Sequence, residues 1–351
     1  MIVLGLFIDI TKAFDTVHHG ILLEKLERYG FRGVRLEFFR SYLTNRQQKV
    51  RFLDVSDVTT GVPQGSVLGP ILFSLHVNDL PLILRNFTPF MYADDTALIC
   101  AHESTPEAFR IANEEMKLIS NWFHANKLLI NIKKTKYMLI HSSHKTTALD
   151  SCVLQVEGEP IERVNHITYL GVVIDHHLNW KMHIDSLCKK LSSVCFVIFK
   201  CLQFFDVPTL RIIYFALFHS QISYCIESWG HTYDSYLRPL VVLQKRAIRF
   251  LSSSSYAAPT KPLFNKYQIM PLKLLTNYKT TIMVYNCISN NCPLHCSSFM
   301  SSRFPTRGYE AGNFLQPLVK NMYGKRRLPS VGCTLWNNLP VEVKQSKYFF
   351  C

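Results

Sequence analysis

Two adjacent carboxylates, Asp94 and Asp95, lie between two short apolar stretches of the sequence. The stretches Phe90–Tyr92 and Ala97–Cys100 are typical of short strands, which predicts that the two carboxylates form the turn between them. Neighbouring negative charges at a turn repel each other, and a divalent cation removes that repulsion. Oxygen ligands of this kind suit Mg²⁺ or Mn²⁺. For the pair alone, an ordinary Asp-rich turn is the alternative.

A third carboxylate, Asp9, lies near the end of a continuous apolar run. The run Met1–Ile10 predicts a strand that is buried on both faces. A buried carboxylate needs a partner, since an unpaired charge there is costly. That partner is either Lys12 or a metal ion shared with Asp94. Three carboxylates on neighbouring strand ends would match a two-metal site for phosphoryl transfer, with the ions about 3.5–4 Å apart.

Two segments with helical spacing accompany these carboxylates. Leu22–Tyr29 predicts a helix that ends at Gly30. Ser104–Glu107 has the spacing of a capping box, and the apolar residues that follow predict a helix with one buried face. The order strand, helix, strand hairpin, helix, strand predicts an α+β layer, with the helices on one face of the sheet.

A Gly/Pro-rich loop, Gly61–Ser66, precedes the apolar segment Val67–Leu84. Gly65 permits close approach of the backbone, and Ser66 is suited to cap a following helix. The loop either presents its backbone and Gln64 to a nucleotide or is a simple turn.

Two later segments complete the first half of the chain. Leu128–Ile140 predicts a loop and a strand, and it carries three lysines: Lys133, Lys134 and Lys136. Tyr169–Ile174 predicts one more strand, with a bulge or a close approach at Gly171.

Charge divides the chain into two unlike halves. Residues 1–180 contain 18 Lys/Arg and 19 Asp/Glu, a balance of −1, whereas residues 181–351 contain 21 Lys/Arg and 6 Asp/Glu, a balance of +15. Such segregation favours contact with a polyanion, and nucleic acid is the favoured partner.

Composition narrows the class of protein. A hydrophobic fraction of 48% and an aromatic fraction of 13% predict folded domains. No apolar run approaches the ~18 residues of a membrane span, and no secretory signal is visible, so we expect no membrane association. Eleven cysteines without paired spacing indicate reduced thiols, as in a protein of the nucleus and cytoplasm.

Five short motifs, in this order, resemble those of reverse transcriptases from non-LTR (LINE-like, jockey-type) retrotransposons. They are Phe7–Asp15, Pro63–Ser66, Tyr92–Asp95, Asn131–Thr135 and Tyr169–Gly171. Leu335–Pro340 also resembles the C-terminal region of such proteins. Each motif is weak alone, but five in order are specific, and the resemblance covers nearly the whole chain.

The resemblance implies an RNA-directed DNA polymerase with a right-hand palm followed by a helical thumb and a C-terminal region. Asp9, Asp94 and Asp95 would then form the site for two Mg²⁺ (or Mn²⁺) ions, which lower the pKa of a primer 3′-hydroxyl and neutralise charge on a triphosphate. Lys134 would be the acid for the leaving pyrophosphate, with a solvated lysine as the alternative. An RNA template, a DNA primer and deoxynucleoside triphosphates would be the partners.

The resemblance also assigns binding residues. Phe14 would be the steric gate beneath the incoming sugar, an assignment that is compatible with a core aromatic. Gln64 and Gly65 would contact the nucleotide and the template. The primer-grip hairpin would contain Tyr169, Leu170 and Gly171.

Three parts of the chain follow from the resemblance and the pattern. Residues 1–182 would be the palm with partial fingers, 183–255 a thumb-like region of three helices, and 256–351 a C-terminal basic region. Of the three predicted helices, the first follows Trp180, the second spans Leu210 to about Cys225, and the third spans Leu237–Leu251. The Ser/Ala/Pro-rich stretch Ser252–Pro262 would mark a boundary.

In the family, basic residues that grip the triphosphate precede the first motif. We therefore expect an N-terminally truncated protein that lacks fingers and endonuclease and is a poor polymerase.

Some alternatives stay open at this stage. A catalytically dead remnant that only binds nucleic acid is one, and a maturase-like RNA-binding protein is another. The group Cys287, Cys292, His295 and Cys296 does not fit common zinc spacings and is a weak candidate for a metal site. Lys325–Arg327 is a small basic cluster that would touch nucleic acid or face solvent.

Overall fold

The computed structural model describes residues 2–44, 46–49, 55–141, 152–289, 291, 313–319 and 322–344. The chain forms two compact units, Met1–Leu178 and Asn179–Cys351. The predicted division into palm, thumb and C-terminal region is finer than this and stays a prediction. Cys292, His295 and Cys296 lie outside the described residues.

The described residues of the first unit form the strands and four helices. The strands are β1 Ile2–Ile8, β2 Arg46–Lys49, β3 Val55–Val58, β4 Thr88–Tyr92, β5 Asp95–His102, β6 Lys136–Ile140, β7 Gln155–Val156, β8 Glu159–Pro160, β9 Glu162–Arg163, β10 His166–Tyr169 and β11 Val172–Asp175. The helices are α1 His19–Arg28, α2 Val34–Leu43, α3 Leu68–Val77 and α4 Thr105–Ala125, with a 3₁₀ turn at Leu80–Ile83. This confirms the predicted α+β class.

One five-stranded sheet organises this unit, in the order β4-β5-β1-β6-β9. The central strand β1 is antiparallel to both β5 and β6, with Ile8 opposite Thr96 and Phe7 opposite Lys136. Only the short pairing of β6 with β9 is parallel. As predicted from its unbroken apolar sequence, β1 is buried along nearly its whole length.

Successive side chains of β1 point to opposite faces of the sheet. Leu4, Leu6 and Ile8 share one large core with apolar residues of helices α1, α3 and α4. The helices therefore cover one face, as the sequence predicts. Phe7 lies on the other face, in a smaller cluster with Ala97 and Met138 and with residues of the β10–β11 hairpin.

Tyr169–Ile174 lies in a hairpin, as the resemblance implies, and the single strand predicted there from the local pattern is wrong. Strands β10 and β11 pair from His166–Asp175 to Tyr169–Val172. Leu170 and Gly171 form the turn, with φ of 46° and 76°. Two consecutive positive φ values match the twist of the flanking strands. Gly171 is there for this turn and not for a bulge.

The helix after Ser104 begins where the sequence predicts, but the capping box does not form. The Ser104 side chain makes no capping hydrogen bond. Its backbone N–H donates to His102 Nδ1 at 3.1 Å. Glu107 binds Arg110 instead of reaching back to Ser104. Both partners of the expected box therefore have other contacts.

The second unit is helical. Its helices are α5 Lys181–Cys201, α6 Val207–Ile213, α7 Ser220–Ser223, α8 Ile226–Trp229, α9 Asp234–Leu251, α10 Thr260–Lys266, α11 Leu272–Ile288, α12 Met322–Lys325, α13 Leu328–Asn337 and α14 Val341–Lys344, with a π-helical segment at Tyr214–His219. None of the described helices of the chain is long and apolar enough to cross a lipid bilayer.

One core unites most of these helices. The apolar stripe of α5 packs with residues of α9 and with Phe264, Ile269 and Leu272. The core therefore includes residues on both sides of Ser252–Pro262. A separate small cluster contains Cys287 and Trp336.

Candidate active site

The β4–β5 hairpin carries Asp94 and Asp95. Tyr92 pairs with Asp95, which leaves Ala93 and Asp94 as the turn. Asp95 is thus the first residue of a strand, and the prediction that both carboxylates lie in the turn is wrong for this one. Ala93 has a φ of 52°, a conformation that costs a non-glycine residue about 1 kcal/mol or more. Strained backbone of this kind is concentrated at functional sites.

Asp9 lies next to this hairpin. Ile8 is opposite Thr96, so the next antiparallel position places Asp9 opposite Asp95. Residues directly opposite each other in such a pair have Cβ atoms about 4.5–5.5 Å apart. Asp9 also shares the face of Phe7, away from the helices. The carboxylates therefore meet on the face of the sheet that the helices leave open.

The electrostatics of the three carboxylates agree with this placement. Desolvation raises the pKa of Asp95, and the negative charges of Asp94 and Asp9 raise it further. In the described part of the chain, Asp9, Asp94 and Asp95 form no ion pair with a basic side chain. The candidate pair Asp9–Lys12 is therefore not formed.

A divalent metal ion fits the chemistry of these donors. They are oxygen ligands with excess negative charge, which hard cations prefer. Among the described residues, no group of three or more Asp, Glu, His or Cys side chains is placed so that it could hold a metal ion. The chemistry of the donors suits a metal ion, but the assignment of Asp9, Asp94 and Asp95 as ligands stays a prediction.

The loop after α4 fixes the backbone of Asp9 from both sides. Asn131 N–H donates to Asp9 O at 2.9 Å, and Asp9 N–H donates to Thr135 Oγ1 at 3.2 Å. The Thr135 side chain is completely buried. Sequence reasoning missed both contacts. In the sequence, the only indication of these contacts is that polar residues, Asn131 and Thr135, lie on either side of Lys133 and Lys134.

Lys134 belongs to the same loop. Its backbone N–H donates to Asn131 O at 3.1 Å. Lys134 therefore lies one turn after Asn131, the residue whose N–H binds Asp9 O. Its side chain is exposed. A proton-donating role and a solvated lysine are both compatible with this position.

The Gly61–Ser66 loop is bound to the segment that follows Asp9. Val62 N–H donates to Phe14 O and Gly61 N–H to Val17 O, each at 2.8 Å. A Cβ at Gly61 would lie 2.8 Å from Asp15 O, so no larger residue fits without movement. The first two motifs therefore form one continuous backbone contact.

Gln64 and Gly65 lie at the exposed tip of this loop. Gln64 Nε2 donates to Asp15 Oδ1 at 3.0 Å, and a nucleotide would have to share or replace that contact. Gly65 has a φ of 82° with open space around it. As predicted, Ser66 caps the following helix, since its Oγ accepts from Gly69 N at 2.9 Å.

Phe14 is half-buried and packs against the core of the first unit. Its ring lies 4.7 Å from that of Phe73, at an interplanar angle of 31°. The residue is thus supported from behind by α3, as either a core aromatic or a steric gate requires.

Tyr169 ties its hairpin to the carboxylate-bearing one. Its hydroxyl donates to Phe90 O in β4 at 3.0 Å, and its ring packs on Phe7. Burial raises the pKa of Tyr169, and the charge of Asp95 raises it further. Of the predicted primer grip, Tyr169 therefore lies beside the carboxylates, and Leu170 and Gly171 form the adjoining turn.

A buried carboxylate in α4 holds the start of β4. Glu115 Oε1 accepts from Arg85 N at 3.2 Å, Asn86 N at 2.5 Å and Asn86 Nδ2 at 2.7 Å, and its Oε2 accepts from Phe87 N at 3.4 Å. The residue is only 2% exposed. Sequence analysis missed it, although a glutamate beside Met116 on the apolar stripe was a visible departure from the helical pattern.

The sequence of this chain is similar to those of known proteins. A sequence profile described as "Reverse transcriptase (RNA-dependent DNA polymerase)" matches residues 3–174. The probable RNA-directed DNA polymerase from transposon BS of Drosophila melanogaster is 28% identical over 266 residues, which are 72% of this chain and 29% of that protein. The polymerase of the mobile element jockey from Drosophila melanogaster is 25% identical over 285 residues, 74% of this chain and 29% of its own length.

The chain thus spans about 29% of the length of these curated relatives. Among solved structures, telomerase from Candida albicans, in complex with a fragment of telomeric RNA, is similar at a TM-score of 0.39 with 13% identity. That similarity covers 76% of this chain and 50% of the telomerase chain.

Proposed function

Because residues 3–174 belong to the reverse transcriptase family, we propose that this chain acts as an RNA-directed DNA polymerase of a non-LTR retrotransposon. Its relatives include polymerases of the BS and jockey elements. The reaction is transfer of a deoxynucleotide to a primer 3′-hydroxyl, with an RNA strand as template.

One observation carries the proposal. The third carboxylate, Asp9, directly follows β1, whereas Asp94 and Asp95 come from the β4–β5 hairpin, and the register of β1 with β5 places all three at one end of these strands. Such a concentration of negative charge destabilises the fold unless a cation balances it. Phosphoryl transfer provides one.

Divalent metal ions, most simply two Mg²⁺, would be held by Asp9, Asp94 and Asp95. When bound, they supply an acidified primer hydroxyl and a counter-charge for the triphosphate. The protein's own residues then have positioning roles. Asn131 and Thr135 fix the backbone of Asp9, and the turn at Ala93 fixes Asp94.

Binding residues surround this site. Phe14, supported by Phe73, limits the space under the sugar of the incoming nucleotide and so excludes a 2′-hydroxyl. Gln64 exchanges its bond to Asp15 for one to the nucleotide or the template, and Gly65 lets either approach the backbone. The hairpin turn beside Tyr169 positions the primer end. Lys134 protonates the leaving pyrophosphate.

The cysteines support a reducing location, the nucleus and the cytoplasm. Eight cysteines lie in the described part of the chain, and six of them are free thiols: Cys100, Cys152, Cys188, Cys195, Cys201 and Cys225. Burial raises the pKa of Cys195 to about 11, so that thiol stays protonated and unreactive. A protein with so many packed thiols is suited to a reducing environment.

A second candidate function is binding of nucleic acid without polymerisation. The excess of 15 positive charges in residues 181–351 favours binding in either case. The carboxylate set favours catalysis.

Two assays on one preparation separate the candidates. Primer extension on an RNA template with Mg²⁺ measures synthesis, and filter binding of the same primer–template measures association. We expect slow but template-dependent extension that chelation of the metal abolishes. Tight binding with no extension at any Mg²⁺ or Mn²⁺ concentration would leave only the binding function.

A further inference from the structure

An exposed aromatic surface in the second unit has no role in the site described above. It is formed by the outer side of α5, the turn that follows this helix, and the end of α9. We call it the phenylalanine face, and it consists of Phe196, Phe199, Phe204, Phe205 and Phe250. The first four are 58%, 46%, 77% and 48% exposed.

Four of these rings, those of Phe196, Phe199, Phe204 and Phe205, do not belong to the core of the unit, whereas Phe250 packs partly against it. The buried stripe of α5 consists of Ile184, Leu187, Leu191, Cys195 and Ile198. At 100° per residue, Phe196 and Lys200 point away from that stripe. Large apolar side chains that are exposed to water lower the solubility of a protein, and a group of them on neighbouring turns marks a binding surface.

Cations are interleaved with the rings. Lys200 Nζ lies 5.4 Å from the centre of the Phe196 ring, and the Arg246 guanidinium lies 5.3 Å from that of Phe250. Phe199 and Phe250, with ring centres 5.2 Å apart, join the two helices into one surface. The face thus offers flat apolar groups and positive charges side by side.

One acid, Asp206, directly follows Phe205 and accepts from Thr209 N at the start of α6, which leaves the two cations of the face in excess. No Asp or Glu occurs between Asp185 and Asp206, and none between Asp234 and Glu310. The occupant must therefore be negatively charged and must also carry flat apolar groups. A second copy of the chain would bring the same positive charge to the contact and be repelled.

We propose that the phenylalanine face binds single-stranded nucleic acid, with unpaired bases stacked on its rings and phosphates beside Lys200 and Arg246. A duplex fits this face less well, because its bases are already stacked and only its phosphates are accessible. Within the proposed function, on which this inference rests for its biological ligand, the occupant is the unpaired part of the RNA template.

Binding of the full chain to three ligands tests this. The ligands are a uridine homopolymer, an abasic oligomer of the same length and backbone charge, and an RNA duplex. We expect the homopolymer to bind at least about fivefold more tightly than the abasic oligomer, because that ratio is the lower limit for the affinity gained from one stacked base. In the double variant Phe196→Ala/Phe204→Ala that preference disappears, while affinity for the abasic oligomer stays unchanged.

Three further variants sharpen the test. Phe196→Tyr/Phe204→Tyr keeps the rings and retains the preference. Lys200→Gln weakens binding of both oligomers by the same factor, because it removes a phosphate contact only. Phe38→Ala removes an equally exposed ring of the first unit, 56% exposed, and changes neither affinity.

Three outcomes would overturn the proposal. Equal affinity of the wild type for the two oligomers, or a preference that survives the double alanine variant, overturns the proposal. So does a dimer of the wild type that the double variant dissociates while the base preference persists, since the face then serves a second copy. None of these results depends on polymerase activity, so failure of primer extension is a separate result. Thermal unfolding of each variant, followed by circular dichroism, verifies that it is folded.

Discussion

Thr135 holds Asp9 through the backbone, since the Asp9 N–H donates to the buried Thr135 hydroxyl oxygen at 3.2 Å. The two residues are 126 positions apart in the chain. The contact joins the end of the central strand to the loop after α4. A residue with no side-chain role in the chemistry thereby determines where a candidate metal ligand lies.

Thr135→Val keeps the volume of the side chain and removes its acceptor. We expect a loss of about 1–3 kcal/mol in the free energy of unfolding, because a buried N–H is left unpaired. Primer extension should also fall, by about tenfold or more, because small displacements of reacting groups are costly. Thr135→Ser, which restores the hydroxyl, should recover most of both. Equal activity of the Val and Ser variants would show that the contact does not position Asp9.

Glu115 should be among the most sensitive polar positions of the first unit. Glu115→Ala leaves four N–H donors without their acceptor, and we expect it to cost about 3–5 kcal/mol of stability, as for a broken buried charge network. Glu115→Gln keeps one of the two acceptor oxygens and should cost less stability. The matched control is Glu114→Ala, whose exposed pair with Arg110 is worth about 0–1 kcal/mol. Denaturant unfolding measures all three, and similar losses for Glu114→Ala and Glu115→Ala would contradict the account.

Phe14→Ala should change the choice of sugar. With the ring removed, we expect the ratio of ribonucleotide to deoxyribonucleotide incorporation to rise by about 10- to 100-fold, the usual range for loss of one steric contact. Phe109→Leu is the control, since it perturbs the same core away from Phe14. Single-nucleotide incorporation kinetics give the ratio. If the two variants lose stability but neither changes the ratio, Phe14 serves packing only.

His76 should make the first unit sensitive to acid. Burial, and then the neighbouring Lys25 ammonium, lower the pKa of His76 from 6.5 to about 4. Because the folded pKa lies below the unfolded one, the contribution to stability is present above pH 6.5 and is lost as the pH falls to about 4. It amounts to about 3 kcal/mol. His76→Phe should reduce the slope of stability against pH in this range, whereas the exposed His166→Phe should not, as urea unfolding at several pH values would show.

The sequence predicted much of the first unit because its patterns are local. The continuous apolar run of β1, the helical stripe of α4 and the apolar flanks of Asp94 each depend on neighbours within a few residues. The capping box at Ser104 did not form because two neighbours in the sequence, His102 and Arg110, bind the Ser104 N–H and the Glu107 carboxylate instead. The local pattern at Tyr169–Ile174 predicted a single strand because Leu at positive φ is rare, and only the resemblance indicated the hairpin.

Long-range polar contacts were beyond sequence reasoning. Nothing in the local pattern indicates that Thr135 meets Asp9, or that Glu115 binds the backbone of residues 85–87. These contacts depend on how strands and helices pack. The candidate carboxylates were predictable because their spacing resembles that of a known family, and the residues that position them were not.

The central claim is that Asp94 is a metal ligand in nucleotide transfer, and the most direct test compares two substitutions in one primer-extension assay with Mg²⁺. Asp94→Asn keeps the size of the side chain and removes its charge, and Asp185→Asn removes an exposed acid of the second unit. We predict that Asp94→Asn abolishes incorporation on an RNA template while it retains the fold and most of the nucleic-acid affinity, and that Asp185→Asn behaves as wild type. Incorporation by Asp94→Asn at the wild-type rate would contradict the account.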